Sequence, residues 1–190
     1  SKFVEHSLRF KLAEKIKKWC ENFEVVVASP EEIDDAILSG RNLNTLEAMK
    51  MASVVNKINS GILRKKEIKV VIDCPSVNIT AWKKKLEEFI EHKDNLKIIC
   101  EHKADVNHVS VSAASILAKV KREDEVALLK KKFGEIGSGY PSDPFTKEFL
   151  RKRGKELRDS GIFRKSWATW KDIFPGEVEK GKGQRGLGEF

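Results

Sequence analysis

The sequence predicts an α/β domain with a largely parallel portion, and three observations carry that expectation. Short β-branched runs recur, as FEVVVA at Phe23 to Ala28, IKVVID at Ile68 to Asp73 and LKIIC at Leu96 to Cys100. Apolar residues between them fall at helical spacing. Strands that alternate with helices can bury their apolar faces under those helices, which is the layering of α/β proteins.

Each element follows from its own pattern. Val4, Leu8, Leu12, Ile16 and Trp19 draw one stripe along a first helix ending near Cys20. FEVVVA reads as a buried strand stopped by Ser29-Pro30. A short helix follows over Glu31 to Leu38, Gly40 breaks it, and a longer one covers about Asn44 to Asn59. IKVVID is a strand stopped by Pro75, and Thr80 to His92 is a helix with Trp82, Leu86, Phe89 and Ile90 inward. LKIIC is a third strand, and a long helix runs from Val109 to Phe133. The glycines and prolines of GSGYPSDP mark a loop. Helices over Phe145 to Arg153 and Arg164 to Phe174 close the domain. The organisation expected is one domain over 1–174 and a flexible Gly-rich tail over 175–190.

Composition narrows the function only a little. The 190 residues hold 37 Lys and Arg against 29 Asp and Glu, a net charge of +8, which favours a polyanionic partner. With 40% hydrophobic residues the chain can fill a core, so a wholly disordered polypeptide is excluded. No apolar run approaches the roughly 18 residues of a membrane span, and no membrane partner is expected. Cys20, Cys74 and Cys100 are few and far apart, which argues against a disulfide framework and for a reducing, cytoplasmic setting. Cys74 and Cys100 lie in or beside apolar runs and read as small buried hydrophobes.

Two carboxylates stand out. Asp73 ends an otherwise apolar strand, and Asp105 follows the third strand just before the long helix. Catalytic and binding groups of α/β sheets gather at the C-terminal ends of strands. If the two strands are neighbours, both carboxylates reach one edge, and oxygen donors without Cys or His suit a hard cation such as Mg²⁺ or Mn²⁺. The plainer alternative is that Asp73 only ends a strand and Asp105 only caps a helix. His102 and His108 fit no ligand pattern and read as packing or surface residues.

More specific are two longer blocks, EHKADVNHVSVSAASILAK from Glu101 to Lys119 and GSGYPSDPFTKEFL from Gly137 to Leu150. They closely resemble the signature blocks of the ribonuclease HII family in its archaeal and eukaryotic form. That family cuts RNA in RNA–DNA hybrids and at ribonucleotides embedded in DNA. Leu43-Asn44, the strand ending in Asp73, and FRKSW at Phe163 to Trp167 add to the resemblance, which runs from Ser1 to about Ile173.

The resemblance implies a ribonuclease H-like mixed sheet flanked by helices, with a C-terminal helical region. It implies four carboxylates that hold divalent metals, Mg²⁺ or Mn²⁺, of which two match Asp73 and Asp105. It matches Tyr140 to the tyrosine that packs on the sugar at the junction of ribonucleotide and deoxyribonucleotide. Lys2, Asn44, Lys103 and Lys119 align with polar residues of the same blocks and become candidates for backbone contacts.

The family's opening strand, ending in DEAGRG, supplies the other two carboxylates, and this sequence contains no such segment. Ser1-Lys2 matches the end of the family's DSK, so the first strands are expected to be absent from this chain. The expectation is that the polypeptide alone has little or no nuclease activity and that a separate N-terminal polypeptide restores it. In the tail, Gln184, Leu187 and Phe190 fit Q-x-x-L-x-x-F, which resembles the sliding-clamp-binding box. Leu187 and Phe190 would share one side of a helical turn and fill an apolar pocket, with Gln184 anchoring its start.

Overall fold

The computed structural model describes residues 6–60 and 65–176. Ten elements follow in order: α1 (His6–Trp19), α2 (Pro30–Leu38), α3 (Leu43–Ile58), β1 (Ile68–Asp73), α4 (Ile79–Glu88), β2 (Leu96–Glu101), α5 (Ala104–Asn107), α6 (Val109–Phe133), α7 (Pro144–Arg153) and α8 (Ala168–Ile173). The chain divides into two compact units, one of residues 1–27 and 47–125, the other of residues 28–46 and 126–190.

The first unit holds the sheet. β1 and β2 pair in parallel from Ile68↔Leu96 to Asp73↔Glu101. A parallel pair cannot be closed by a tight turn, and α4 supplies the crossover. Ile72 and Ile98 pack with Ala48, Ala52 and Val55 of α3 and with Trp82 and Leu86 of α4. Cys74 joins this core and Cys100 packs against it. Burial, then the neighbouring Cys74, pushes the Cys100 thiol up to about 11, so it stays protonated and packs as an apolar group. A second cluster of this unit joins Ala13 to Ile116, Leu117 and Val120 of α6, with Phe10, Leu12, Ile16 and Val25 beside it.

Two expectations are corrected here. FEVVVA forms no strand, and the segment from 22 to 29 has no regular structure. A strand needs a neighbour for its N–H and C=O groups, and among the described residues none runs beside it. Phe23 and Val27 remain 41% and 48% exposed. Lys50 Nζ donates to Val27 O (3.3 Å), and Lys57 pairs with Glu24 (2.5 Å), so side chains of α3 hold the segment instead. For the same reason the described sheet is a two-stranded parallel pair and not a mixed sheet.

Helix ends also shift where tertiary hydrogen bonds replace helical ones. α4 stops at Glu88 because Asn56 takes over the next groups, its Nδ2 donating to Phe89 O (3.0 Å) and its Oδ1 accepting from Glu91 N–H (3.1 Å). Asn59, buried, donates to His92 O (2.9 Å) and exchanges hydrogen bonds with Asn95. These asparagines fix the connection that feeds β2. The α1 stripe holds in part: Leu12 and Ile16 pack on the cluster around the wholly buried Ala13, while Leu8 and Trp19 (81%) are exposed.

The second unit is helical. α2 opens with a capping box in which Glu32 N–H donates to Ser29 Oγ (3.1 Å) and Ser29 N–H to Glu32 Oε2 (2.9 Å). Its buried Asp34 accepts from Lys165 N–H (2.7 Å), Ser166 N–H (3.0 Å) and Ser166 Oγ. With those amides engaged, α8 starts at Ala168 and not at Arg164. Leu150, Trp170 and Phe174 form the core, with Phe163 packed on it. The Trp170 and Phe174 rings lie 4.7 Å apart, Phe163 and Trp170 5.3 Å, within the range of favourable tilted aromatic pairs.

Candidate functional site

The parallel register decides where the acidic residues stand. Asp73 and Glu101 are partners at the C-terminal ends of β1 and β2, and Cys74 N–H donates to Glu101 O (2.9 Å) to prolong the ladder. After β2 the chain folds back at Lys103, which has φ 57°. It is the one non-glycine residue with positive φ among the described residues. This left-handed turn costs roughly 1–2 kcal/mol for an L-residue, and it starts α5 directly over the strand ends. Ala104 N–H then donates to Asp73 Oδ1 (3.3 Å). Asp105, the next residue, occupies the first turn of α5 and is half-buried. Asp73, which is exposed, and Asp105 thus lie at the same end of β1.

Residues not singled out from sequence complete this edge. Glu101 Oε1 lies 2.9 Å from His108 Nε2 and accepts from Asn107 Nδ2 at 3.3 Å. A carboxylate oxygen only accepts, so His108 Nε2 carries the proton. By the same logic His102 Nδ1 donates to Cys74 O (3.3 Å). His108 thus has a partner at the strand end, while His102 is exposed, as the surface reading expects. The sequence signal for His108 was its spacing, seven residues after a strand-end glutamate, which gains meaning only once the chain is known to reverse at Lys103.

Asp73, Glu101 and Asp105 are oxygen donors, right in kind for Mg²⁺ or Mn²⁺. In arrangement they fall short, because among the described residues no three His, Cys, Asp or Glu side chains converge to hold a metal ion. One oxygen of Asp73 and one of Glu101 are already engaged. The described residues do not fit a complete divalent-metal site.

Lys103 and Lys119 belong to the same unit as the two aspartates. Lys119 is half-buried in α6 and donates to Ser115 Oγ (3.1 Å). Asn44 and Tyr140 lie in the second unit, Asn44 exposed in the first turn of α3. Lys2, Gln184, Leu187 and Phe190 lie outside the described residues.

Tyr140 is 53% exposed on a loop tied down by one carboxylate. Asp143 accepts from Ser138 N–H, from Phe145 N–H (3.0 Å) and from Thr146 Oγ1 (3.2 Å). These bonds, led by Ser138, pull its carboxyl down to about 2. Gly139 N–H donates to Thr146 Oγ1 (2.9 Å), whose single proton is shared between Asp143 Oδ2 and Ile136 O (3.0 Å). Asp143 N–H closes the turn on Tyr140 O (3.0 Å). The loop therefore holds the Tyr140 backbone firmly and leaves its ring outward.

Comparison with solved structures supplies the class. The crystal structure of the ribonuclease H2 from Pyrococcus horikoshii OT3 matches with a TM-score of 0.77 at 37% identity, over 91% of this chain and 78% of that one. The PCNA:RNase HII complex from Archaeoglobus fulgidus contains a chain matching with a TM-score of 0.74 at 36% identity, over 88% of this chain and 76% of that one. The fold is thus of the ribonuclease H2-like α/β class. The family model for ribonuclease HII matches residues 1–170. Ribonuclease HII of Methanococcus maripaludis strain C6 is 41% identical over 183 residues, covering 96% of this chain and 74% of that protein. That of Pyrococcus furiosus is 39% identical over 166 residues, covering 87% and 70%. The chain belongs to the ribonuclease HII family, in its archaeal form.

Proposed function

We propose that the protein is a divalent-metal-dependent endoribonuclease acting on RNA–DNA hybrids and on duplex DNA with embedded ribonucleotides. It hydrolyses the phosphodiester on the 5′ side of the ribonucleotide and leaves a 3′-hydroxyl. The observation that supports this most is the parallel pair, which delivers Asp73 and the Asp105-bearing helix α5 to one end of the sheet. Asp73 and Asp105 are the two carboxylates this chain contributes to a site for Mg²⁺ or Mn²⁺. The remaining ligands would come from outside the described residues, such as the acidic strand ending in DEAGRG that the family carries. Tyr140 reads the sugar at the junction, where a 2′-hydroxyl is what separates RNA from DNA. Lys2, Asn44, Lys103 and Lys119 contact the backbone.

Gln184, Leu187 and Phe190 dock on a sliding clamp, a reading supported by the relative solved as a PCNA:RNase HII complex. Among the described residues no helix is long and apolar enough to cross a membrane. A nucleic-acid substrate places the work in the cytoplasm, or in the nucleus of a eukaryotic host.

The test is a duplex with one embedded ribonucleotide, incubated with Mg²⁺ or Mn²⁺, with and without a polypeptide carrying the DEAGRG strand. Cleavage that depends on that addition and is lost in Asp73→Asn supports the enzyme. Binding without cleavage under every condition instead supports a non-catalytic nucleic-acid-binding subunit. Deleting residues 184–190 is expected to abolish clamp binding in a pull-down and to leave the cleavage rate unchanged.

A further inference from the structure

We infer that Glu101 and His108 are positioning residues for Asp105, holding the one-turn helix α5 across the ends of both strands. The inference rests on the reading of Asp73 and Asp105 given above. α5 has four residues, and its N-cap Lys103 makes no side-chain cap bond. Helices shorter than about 12 residues do not persist alone in water, so the place of α5 is set by what ties it down.

Its two ends are tied to different strands. At the start, Ala104 N–H reaches Asp73 at the end of β1 (3.3 Å). At the finish, Asn107 and the C-cap His108 both reach Glu101 at the end of β2 (3.3 and 2.9 Å). Because Asp73 and Glu101 are register partners, the anchors stand side by side. Asp105 lies between the two ties. A loosened α5 moves Asp105 relative to Asp73, and displacement of a reacting group by about 1 Å can cost 100-fold in rate.

The chemistry of the tie is that of an acceptor. The same oxygen, Glu101 Oε1, takes both bonds, and an amide oxygen in its place offers the same acceptor without the charge. A carboxylate acting directly at the reacting centre has no such substitute.

Two readouts decide it. In the full chain, amide exchange followed by NMR should show the His108 N–H, which donates to Ala104 O (2.9 Å), exchanging about 10-fold faster in Glu101→Ala while β1 and β2 amides hold. Glu101→Gln should stay near wild type, and His108→Phe should resemble Glu101→Ala. In the cleavage assay with the added acidic strand, Glu101→Ala should lower kcat about 10-fold with KM unchanged, and Glu101→Gln should recover most of it. Unchanged exchange in both Glu101→Ala and His108→Phe overturns the inference. So does a Glu101→Gln protein with wild-type exchange and the full loss of kcat, since the charge itself is then needed. If wild type cleaves nothing under any condition, the proposed enzyme fails, and the exchange readout alone still decides whether Glu101 and His108 hold α5.

Discussion

Gly137 has φ +71°, and a Cβ built there would meet Thr146 N at 2.5 Å and Asp143 Oδ2 at 2.6 Å. Any side chain would push apart the contacts that shape the Tyr140 loop. Gly137→Ala is expected to destabilise by about 1–2 kcal/mol from the left-handed backbone alone, with more from the clash, read as a lower urea midpoint. Asp143 acts on the same loop through its charge. Its folded carboxyl titrates at about 2, below the usual carboxylate value near 3.9. Its contribution is therefore complete above that usual value and is lost as pH falls through about 2. The Ser138 and Phe145 amide resonances should hold their positions down to about pH 3 and move only below it. In Asp143→Asn that acid transition should vanish, and if it persists another group governs the loop.

At the scale of elements, what was legible in the sequence is what local pattern determines. β1 and β2 were readable because β-branched runs stand between turn signals, and α6 because its spacing is long and uninterrupted. Phe23 to Ala28 carries the same local pattern as β1, yet being a strand is a property of a pair. The end of α4 and the start of α8 depend on Asn56 and Asp34, residues far away in sequence. For the candidate site, the meeting of Asp73 and the Asp105-bearing segment at one end of β1 was legible from a strand end and a motif. The link from Glu101 to His108 was not, since it needs both the parallel register and the reversal at Lys103. Leu86, wholly buried between α4 and the sheet, tests the packing that sets this register. Leu86→Ala is expected to cost about 2–5 kcal/mol by leaving a cavity, measured by urea denaturation. A loss under 1 kcal/mol would show that the crossover helix does not secure the sheet.

The whole molecule carries a net charge of +8, and a binding assay can ask whether that charge acts as a general field or through particular lysines. Affinity for a nucleic acid falls with salt because bound cations are released from the phosphates, with a slope of about −0.9 per phosphate neutralised on a duplex. If Lys103 and Lys119 each neutralise one phosphate, Lys103→Gln and Lys119→Gln should each flatten that slope by about one unit. Both should weaken binding alike for every hybrid sequence, since phosphates carry no base information. Lys18, exposed in the last turn of α1, provides the control, because Lys18→Gln removes the same unit of net charge. Carried out with Asp73→Asn, which should not cleave, on an RNA–DNA hybrid between 50 and 200 mM salt, Lys18→Gln should leave the slope as it was. Equal flattening by all three substitutions would mean that the field of the whole surface draws the substrate. Lys103 and Lys119 would then be a solvated face, and orientation of the hybrid on Asp73 and Asp105 would have to come from elsewhere.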